Sequence, residues 1–433
     1  MLIKKRNVDS EEGGAIPNFA GFREGVFSPK RNMADTGSTQ WGAIVAALKL
    51  AIVSETFPPE VNGVAMTFGV IVRELSQRGH EVTVYRPHRP DLPGDAAHPG
   101  FREVALPGFP IPGYGLLRLG WPAWGKLERR WRAERPDLVH VVTEGPLGAS
   151  AITVARRLGI AVTSSFHTNF HSYAGHYGAA FMRRLTLAWL RRVHNRTRMT
   201  FAPTVELCAA LADRGFNDLR VLSRGVDTRQ FSPARRDEAL RRSWGSGPDD
   251  PVVLHVGRMA PEKNYPELFR LYAAMREANP RLRFVLAGEG PLKERLQREH
   301  PHCLFAGFFS REEIGRYYAS ADIYIHASLT ETFGNVLTEA MASGLAVAGY
   351  DYAAARQFIH HGENGLVAPC GMPESLQAAA VSLAWDATLR GRLRAAAPAS
   401  LAEQSWERVI SRFEADLLRA AGRGAAAVEA FAV

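Results

Sequence analysis

The chain has 433 residues, and at roughly 150 residues per domain this length predicts two large domains or three smaller ones. Hydrophobic residues make up 46% of the sequence and charged residues 22%, a globular composition that excludes intrinsic disorder for most of the chain. The net charge is +9, from 53 basic and 44 acidic residues. Much of the excess is local, because no acidic residue occurs between Glu144 and Glu206 whereas arginine occurs there repeatedly.

The cysteine pattern and the hydropathy of the chain limit where the protein can reside. The three cysteines are odd in number, far apart and without C-x-x-C spacing, which excludes a disulfide scaffold and a zinc ribbon. No run of 18 apolar residues occurs, and the N-terminus lacks the basic-then-apolar pattern of a secretory signal. We therefore expect a cytoplasmic protein that does not span a membrane.

The predicted elements begin after a polar N-terminal stretch. Residues 1–46 mix charge, glycine, proline and serine without a helical or strand period, which predicts a flexible extension, and Met33 is an alternative start. From Leu48 the segment LKLAIVSETF predicts a strand, VAMTFGVIVRELSQRG a helix, and EVTVYRP a second strand. This alternation continues to Gly215 and predicts a parallel sheet covered on both faces.

A polar passage from Ser223 to Asp250 interrupts the apolar pattern and is the predicted linker. Beyond it the alternation of strands and helices restarts with PVVLHVG and predicts a second parallel sheet. The predicted division is an N-terminal extension (1–46), a first Rossmann-like domain (47–222), a second Rossmann-like domain (223–400), a C-terminal helix (401–421) and a tail (422–433).

The segment SLTETFGNVLTEAMASG, residues 328–344, follows a predicted strand. A helix that begins near Gly334 places Glu339 about 7 to 8 Å along its axis and leaves Glu331 in the preceding loop. The N-terminus of such a helix attracts phosphate, while the two carboxylates accept hydrogen bonds from hydroxyls, which predicts a sugar at one end and a ribose at the other. The alternative is an ordinary amphipathic helix with two solvated glutamates.

Two further segments end predicted strands of the second domain. PVVLHVGRMAPEKN carries Arg258 and Lys263, whose charges can hold a diphosphate; the alternative is a surface ion pair with Glu262. LAGEGPLKERL places Gly288 and Gly290 between a strand and a helix, as in a nucleotide-contact turn, although such glycines are often structural.

In the first domain, SETFPPEVNGV holds Gly63 in a loop before a helix and lacks the G-x-G-x-x-G fingerprint, which counts against a dehydrogenase. His167 ends the strand SSFHT, and the residues after it suggest a sugar or acceptor site; the alternative for any one histidine is a structural or surface role. No D-x-D occurs in the chain, so we expect no metal and no cofactor. The polar ring and amide side chains after His167 are Asn169, His171, His176 and Tyr177.

Taken in order, VGRMAPEKN, LAGEGPL, ETFGNVLTEAMASGLAV and the NGV after the first strand resemble the retaining glycosyltransferases of family four. The resemblance covers about residues 48–420 and implies an α/β protein of the GT-B fold, with two Rossmann-like parallel-sheet domains facing a central cleft. It implies that the first domain (47–222) binds the acceptor and the second (223–400) the nucleotide sugar. It also implies that the C-terminal helix, Ser405 to Ala420, returns to the first domain. One departure is Asn62-Gly63-Val64 where many members have a Gly-Gly pair.

The resemblance implies a role for each matching residue. Arg258 and Lys263 correspond to the diphosphate clamp, Glu331 to the carboxylate that binds the donor sugar, and His167 to the residue beside the transferred sugar; these four are the implied catalytic residues. Glu339 corresponds to the ribose-binding carboxylate. The implied donor-binding residues are Gly63, Arg258, Lys263, Gly288, Glu331, Gly334, Asn335 and Glu339.

Within the family, FHTNFHSYAGHYG and SETFPPEVNGV are similar to the bacterial branch with GDP-mannose-dependent mannosyltransferases and diacylglycerol glycosyltransferases, including sulfolipid synthase. The implied activity is metal-independent, retaining transfer of a hexose from GDP-mannose or a UDP-sugar to a lipid or glycan acceptor. One alternative is a sugar-nucleotide epimerase of the same fold. Another is a basic nucleic-acid-binding protein, but no binding module is recognisable, so we expect no nucleic-acid partner.

The acid-free stretch contains the segment FMRRLTLAWLRRVHNRTR, in which Leu185 and Trp189 share one helical face. A basic helix with an apolar face suits the headgroup region of an anionic membrane, and the loop 109–124 offers further apolar surface. The alternative is a helix that packs in the first domain with a solvated basic face. The residues predicted to contact the membrane or the acceptor, on its cytoplasmic side, are Arg183, Arg184, Trp189, Arg191 and Arg192.

Overall fold

The computed structural model describes residues 47–60, 62–92, 94–111, 114–167, 179–307, 309–329 and 331–423. The predicted N-terminal extension lies outside these ranges, as does the tail beyond residue 423. The histidine-rich segment 168–178 also lies outside them, and so does the side chain of Arg183.

The first half of the chain forms a sheet from short, mostly buried strands. Its strands and the ribbon that interrupts them are β1 (Lys49–Val53), β2 (Glu81–Pro87), β3 (Ala96–His98), β4 (Phe101–Leu106), β5 (Gly108–Ile111), β6 (Tyr114–Gly120), β7 (Leu138–Val141), β8 (Ala161–Ser165), β9 (Thr200–Ala202) and β10 (Leu219–Val221). The helices are α1 (Gly63–Gln77), α2 (Trp124–Glu134), α3 (Pro146–Arg157), α4 (Ala179–His194) and α5 (Val205–Ala212).

The first sheet has the order β10-β9-β8-β7-β1-β2-β4-β3 and is parallel except where β3 pairs with β4. In β1 the four residues after Lys49 are all buried, because helices cover both faces of a parallel sheet. The strand order reverses between β1 and β7, so the loops that follow these two strands meet at one edge.

The segment 109–124, predicted as a loop, instead contains an antiparallel ribbon of β5 and β6 followed by the start of α2. Pro110 cannot donate a backbone hydrogen bond, which weighs against a strand in the sequence. In a two-stranded ribbon, however, one side of each strand needs no partner, so Pro110 pairs in register with Arg118.

The second half of the chain forms a second sheet, and all of its strand pairs are parallel. The strands are β11 (Val252–Val256), β12 (Arg283–Ala287), β13 (Leu304–Gly307), β14 (Ile323–His326), β15 (Ala346–Tyr350) and β16 (Leu366–Ala368). The helices are α6 (Glu238–Ser243), α7 (Tyr265–Ala278), α8 (Lys293–Glu299), α9 (Arg311–Ser320), α10 (Asn335–Ala342), α11 (Ala353–Phe358), α12 (Pro373–Trp385) and α13 (Ala387–Ala396).

The order of the second sheet is β13-β12-β11-β14-β15-β16, with the reversal between β11 and β14. Both sheets therefore have the doubly wound arrangement, in which ligands bind beyond the carboxyl ends of the strands at the reversal. The predicted α/β class is confirmed.

The final helix, α14 (Trp406–Ala420), packs on the first sheet. The ring centroid of Phe413 lies 4.9 Å from that of Phe201 and 5.2 Å from that of His140. Glu414 accepts hydrogen bonds from Arg78, at 2.6 Å, and from His80, at 2.9 Å. Burial alone would raise the pKa of Glu414, but these bonds offset it and leave the pKa below the ordinary value, so the carboxylate is charged at neutral pH.

The polar passage predicted as a linker is packed onto the second sheet through ion pairs. Arg241 is 1% exposed and donates to Asp322 at 2.7 Å, where Arg236 and Arg394 also donate at 3.2 and 2.8 Å. Asp322 further accepts from the backbone N–H of Val252 at 2.9 Å. The passage is polar because its arginines surround a buried carboxylate, and a sequence pattern does not distinguish such residues from solvated ones.

We expect Asp322→Asn to lower the free energy of unfolding by about 3 to 5 kcal/mol, because it leaves the buried Arg241 with only the half-exposed Glu238, 3.5 Å away, as a counter-charge. Urea unfolding followed by circular dichroism measures the loss. The matched control is Glu403→Gln, whose side chain is 59% exposed in its ion pairs and whose loss should stay under about 1 kcal/mol. A loss as small as the control's in Asp322→Asn would contradict the structural role of this carboxylate.

Candidate active site

Two loops meet at the reversal of the second sheet, because β11 and β14 are hydrogen-bonded neighbours. The loop after β11 carries Arg258 and Lys263, and the loop after β14 carries Glu331. Lys263 and Glu331 are 68 residues apart in the chain and become neighbours only through this strand order.

Lys263 and Glu331 form a largely buried ion pair. The Lys263 Nζ lies 2.5 Å from the Glu331 Oε1, and their side chains are only 19% and 15% exposed. Burial would raise the pKa of Glu331, but the charge of Lys263, with His326 and hydrogen bonds, lowers the pKa below its ordinary value. The backbone N–H of Glu331 donates to the Tyr352 hydroxyl at 2.8 Å, which fixes the loop. The carboxylate is therefore ionised and can accept hydrogen bonds from a sugar.

The N-terminus of α10 lies beside this pair. Gly334 has a φ of +95°, and no side chain caps the helix among the described residues. The N–H of Leu337 donates to the Gly334 carbonyl at 3.0 Å, so the N–H groups of Asn335 and Val336 are the ones available to an anion. A Cβ on Gly334 would lie 3.6 Å from the His326 Nε2 and 3.7 Å from the Glu331 Cγ, so the glycine leaves space between these side chains.

Glu339 lies farther along α10 and is held by a tyrosine that the sequence pattern did not single out. The buried Tyr318 hydroxyl, on α9, donates to the Glu339 Oε2 at 3.0 Å. Burial raises the pKa of Tyr318 well above its ordinary value, so the hydroxyl remains a donor at neutral pH. The contact orients a partly buried carboxylate that keeps acceptor capacity for a ligand hydroxyl. A tyrosine on a separate helix gives no sequence signal for this role.

Packing explains Gly288, whereas the side chain of Arg258 has no partner among the described residues. The Arg258 side chain is exposed and makes no hydrogen bond or ion pair within the described part of the chain, so its charge remains available. Gly288 has a φ of +144°, and a Cβ there would lie 2.0 Å from the carbonyl oxygen of Gly257. Packing of the turn after β12 against the loop after β11 therefore explains this glycine, and its contact with a donor stays a prediction.

At the first sheet, Gly63 begins α1, and Asn62 caps the helix by accepting from the N–H groups of Val64 and Ala65 at 3.1 and 2.9 Å. A Cβ on Gly63 would meet nothing within 4 Å. Nothing in the described structure thus requires a glycine here, and its approach to phosphates also stays a prediction.

His167 follows β8, and its Nδ1 lies 3.3 Å from the Nη2 of Arg224, which follows β10. Burial lowers the pKa of His167 well below its ordinary value, and the charge of Arg224 adds to this effect. The imidazole is therefore neutral at physiological pH. The sequence pattern did not indicate Arg224, because a single arginine in a polar passage resembles a solvated one. Asn169, His171, His176 and Tyr177 lie outside the described residues.

A buried carboxylate occupies the corresponding helix terminus of the first sheet. Glu55 follows β1, and its Oε1 accepts from the N–H of Leu147 in the first turn of α3 at 3.2 Å. Burial raises the pKa of Glu55 to about 7, with a further contribution from the charge of Glu144. The N-terminus of α3 is thus already filled by a protein group, whereas that of α10 is open.

The basic helix α4 presents apolar side chains to solvent. Leu185 is 50% exposed and Trp189 is 42% exposed, next to the exposed arginines 184, 191 and 192. Trp121 and Trp124 are 55% and 49% exposed near the start of α2. Residues of α2, α3 and α4 share one buried cluster, so these helices cover the same face of the first sheet.

The described residues contain neither a membrane-spanning helix nor a cluster of metal ligands. No helix there is both long and apolar enough to cross a bilayer. Nor do three or more histidine, cysteine or acidic side chains converge there in a group that could hold a metal ion.

Comparisons with known proteins agree with this geometry. The model of the family Glycosyltransferase Family 4 matches residues 61–230, and that of Glycosyl transferases group 1 matches residues 236–399. The GDP-mannose-dependent alpha-mannosyltransferase of Mycobacterium tuberculosis (strain CDC 1551 / Oshkosh) is 34% identical over 86% of this chain and 97% of its own length. The alpha-monoglucosyldiacylglycerol synthase of Acholeplasma laidlawii is 25% identical over 74% of this chain and 84% of its own length.

Among solved structures, that of HepE from Anabaena, in complex with UDP, superposes with a TM-score of 0.68 at 19% identity, covering 86% of this chain and 100% of that chain. This likeness shows the fold, and with the two parallel sheets it confirms the predicted GT-B arrangement. The two family models and the mycobacterial relative together show that the chain belongs to the glycosyltransferases of family four, and that it is a glycosyltransferase.

Proposed function

We propose that the protein transfers a hexose from a nucleotide-diphosphate sugar to a lipid or glycan acceptor, with retention at the anomeric carbon. The observation that carries the proposal is the buried Lys263–Glu331 ion pair beside the uncapped N-terminus of α10. A cation, a sugar-binding carboxylate and an open helix terminus in one place suit the junction between a sugar and a diphosphate.

The donor is bound mainly by the second sheet. The diphosphate lies against the first N–H groups of α10 and is held by Lys263 and by Arg258, whose exposed side chain is free to fold onto it. Glu331 accepts hydroxyls of the sugar, while Glu339 accepts hydroxyls of the ribose. Lys263 then contacts both the carboxylate and the phosphate, which fixes the sugar relative to its leaving group.

The reaction breaks the bond between the anomeric carbon and the diphosphate oxygen and forms a bond from that carbon to an acceptor oxygen. The acceptor hydroxyl attacks from the face that the diphosphate leaves, and its proton passes to the departing phosphate oxygen. Arg258, Lys263 and the α10 terminus stabilise the negative charge that develops on the diphosphate, and stabilisation of this kind usually lowers an enzymatic barrier more than any other effect. No residue is assigned as a nucleophile.

The donor and the acceptor are proposed from the relatives. Three relatives at 31 to 34% identity are named GDP-mannose-dependent alpha-mannosyltransferases, which favours GDP-mannose over a UDP-sugar. The diacylglycerol glycosyltransferases from Acholeplasma laidlawii and Streptococcus pneumoniae favour a lipid acceptor.

A lipid acceptor requires access to a membrane surface. Leu185 and Trp189 are exposed on α4 with Arg184, Arg191 and Arg192 around them, which suits a helix lying at the headgroups of an anionic bilayer. Trp121 and Trp124 add exposed aromatic side chains on the same face of the first sheet. We propose a cytoplasmic protein that binds reversibly to the inner face of the cell membrane.

Arg258→Ala should lower kcat/KM on the order of 100-fold, because it removes one charge that stabilises the leaving diphosphate. Radiolabelled GDP-mannose or UDP-glucose and a membrane lipid extract serve as substrates, and steady-state kinetics measures the effect. The matched control is Arg281→Ala, an arginine whose side chain is 69% exposed in the same half of the chain and which should leave kcat/KM unchanged. Near wild-type turnover in Arg258→Ala would contradict the diphosphate assignment.

Metal independence is proposed because two cations and a helix terminus supply the positive charge that a metal would otherwise provide. We expect the protein to remain active after dialysis against excess EDTA. Added Mg²⁺ should change kcat by less than about twofold, far less than the effect on the order of 100-fold that removing a charge-stabilising group has. Loss of activity on chelation that Mg²⁺ restores would show the opposite.

Binding to vesicles tests the membrane surface. Each engaged basic residue contributes about 1 kcal/mol at an anionic bilayer, so replacing three arginines should weaken binding on the order of 100-fold. We expect co-sedimentation with vesicles that contain phosphatidylglycerol, weaker binding in high salt, and loss of binding when Arg184, Arg191 and Arg192 become Gln. The control replaces Arg295, Arg298 and Arg392, which are exposed in the other half of the chain. Equal binding by the two triple variants would reject the proposed surface.

A further inference from the structure

Arg224 is a buried cation without a counter-charge. Its side chain is 4% exposed, and no carboxylate pairs with it among the described residues. Burial, with no charged neighbour contributing, lowers its pKa to about 10, so the guanidinium remains charged at neutral pH. An uncompensated buried charge costs several kcal/mol of stability. A protein retains such a group most readily where a ligand supplies the missing negative charge.

Arg224 also determines which nitrogen of His167 carries the proton. A guanidinium is only a donor, so the His167 Nδ1, 3.3 Å from the Arg224 Nη2, must accept. The proton of the neutral ring then sits on Nε2. The charged or titratable groups that face the ring are Arg224 after β10, His140 on β7 and His194 on α4, and each lowers the pKa of His167 further below the level set by burial.

The two side chains leave donors without acceptors. The Nη1 of Arg224 and the Nε2 of His167 are both buried and have no hydrogen-bond partner in the described structure. The hydroxyl of Ser223, next to Arg224 in the chain, is likewise buried and unpartnered. Buried donors are rarely left unsatisfied, since each costs about 1 to 3 kcal/mol. Separate oxygens of one ligand group, such as a phosphate or a carboxylate, would satisfy these donors, and an anionic group would also supply the negative charge that Arg224 lacks.

We propose that Arg224 and His167 form an anion-binding subsite at the carboxyl edge of the first sheet, which takes a phosphate or carboxylate group of the substrate. Different oxygens of that group accept from the Arg224 Nη1 and the His167 Nε2. Two sources have this chemistry, namely an acidic group on the acceptor and the diphosphate of the donor. The identification of these two sources rests on the proposed function. The binding of an anion does not rest on it and can be tested without turnover.

The probe is inorganic phosphate, and the readout is the ¹⁵N spectrum of the full chain labelled in its histidines, with the His167 signals assigned from His167→Gln. In the wild type we expect an Nε2-protonated ring whose signals shift saturably with phosphate. The titration is repeated with saturating GDP or UDP. A shift that persists with the nucleotide bound identifies an acidic group of the acceptor as the source, and a shift that the nucleotide abolishes identifies the donor diphosphate.

Two variants separate recognition by Arg224 from a purely structural role. Arg224→Lys keeps a donor-only cation, so it should keep the tautomer and the shift, with phosphate binding weaker by about tenfold or less. Arg224→Gln removes the charge and can donate or accept, so the ring should become a mixture of tautomers and the phosphate shift should disappear. Circular dichroism and the temperature of thermal unfolding, compared with the wild type, show that each variant is folded.

Three results would overturn the subsite: no saturable shift in the wild type, an unchanged shift in Arg224→Gln, or a His167 ring protonated on Nδ1. Failure of both nucleotides to bind would instead count against the proposed donor site. The phosphate titration without nucleotide would still test Arg224 in that case.

Discussion

The ion pair between Lys263 and Glu331 is the interaction on which the proposed donor site depends. Both side chains are largely removed from water before any ligand arrives, and each offsets the charge of the other. A diphosphate that binds beside Lys263 therefore meets a cation that is already desolvated and held in place, which is the condition under which fixed charges stabilise a transition state most strongly. Tyr352 supports the pair through the backbone of Glu331, and Gly334 keeps the adjoining space open. The position of the helix terminus, the cation and the carboxylate is thus set by the neighbouring strands β11 and β14.

The two sheets have similar topology at their reversals but opposite electrostatics. In the first sheet the carboxylate of Glu55 fills the start of α3, and burial brings its pKa to about 7. In the second sheet the start of α10 carries no capping side chain in the described chain. An anion accordingly finds the terminus of α3 occupied by a protein carboxyl group and that of α10 open. This difference supports the proposal that the second sheet, rather than the first, receives the nucleotide.

Much of the fold was predictable from local sequence, since parallel strands are short apolar runs and the helices between them end at glycines. The residues of the proposed donor site could also be selected one by one from the sequence, because polar side chains at the ends of strands stand out against buried neighbours, and their contacts with a donor stay a prediction. What could not be predicted is the contact between Lys263 and Glu331, which depends on strand order across 68 residues. Tyr318 and Arg224 were missed for a related reason, because burial distinguishes them and a sequence does not display burial. The ribbon of β5 and β6 was not predicted, because Pro110 weighs against a strand and is accommodated only in an irregular or edge strand.

Arg224 lies where the chain passes from the first sheet to the second, so its buried charge is at the junction of the two sheets. The segment by which the chain returns to the first sheet, just before α14, is adjacent. The N–H of Val226 donates to the carbonyl of Gln404 there at 2.8 Å, and Val226 pairs with Ser405. Gly225 permits this approach, since a Cβ there would lie 2.5 to 2.7 Å from atoms of Trp406. The two crossings are thus hydrogen-bonded to each other two residues after a buried cation. A ligand that satisfies Arg224 at the proposed subsite would therefore bind where the chain passes between the two sheets. The free energy of that contact would be gained at the segment that connects the first sheet to the proposed donor site.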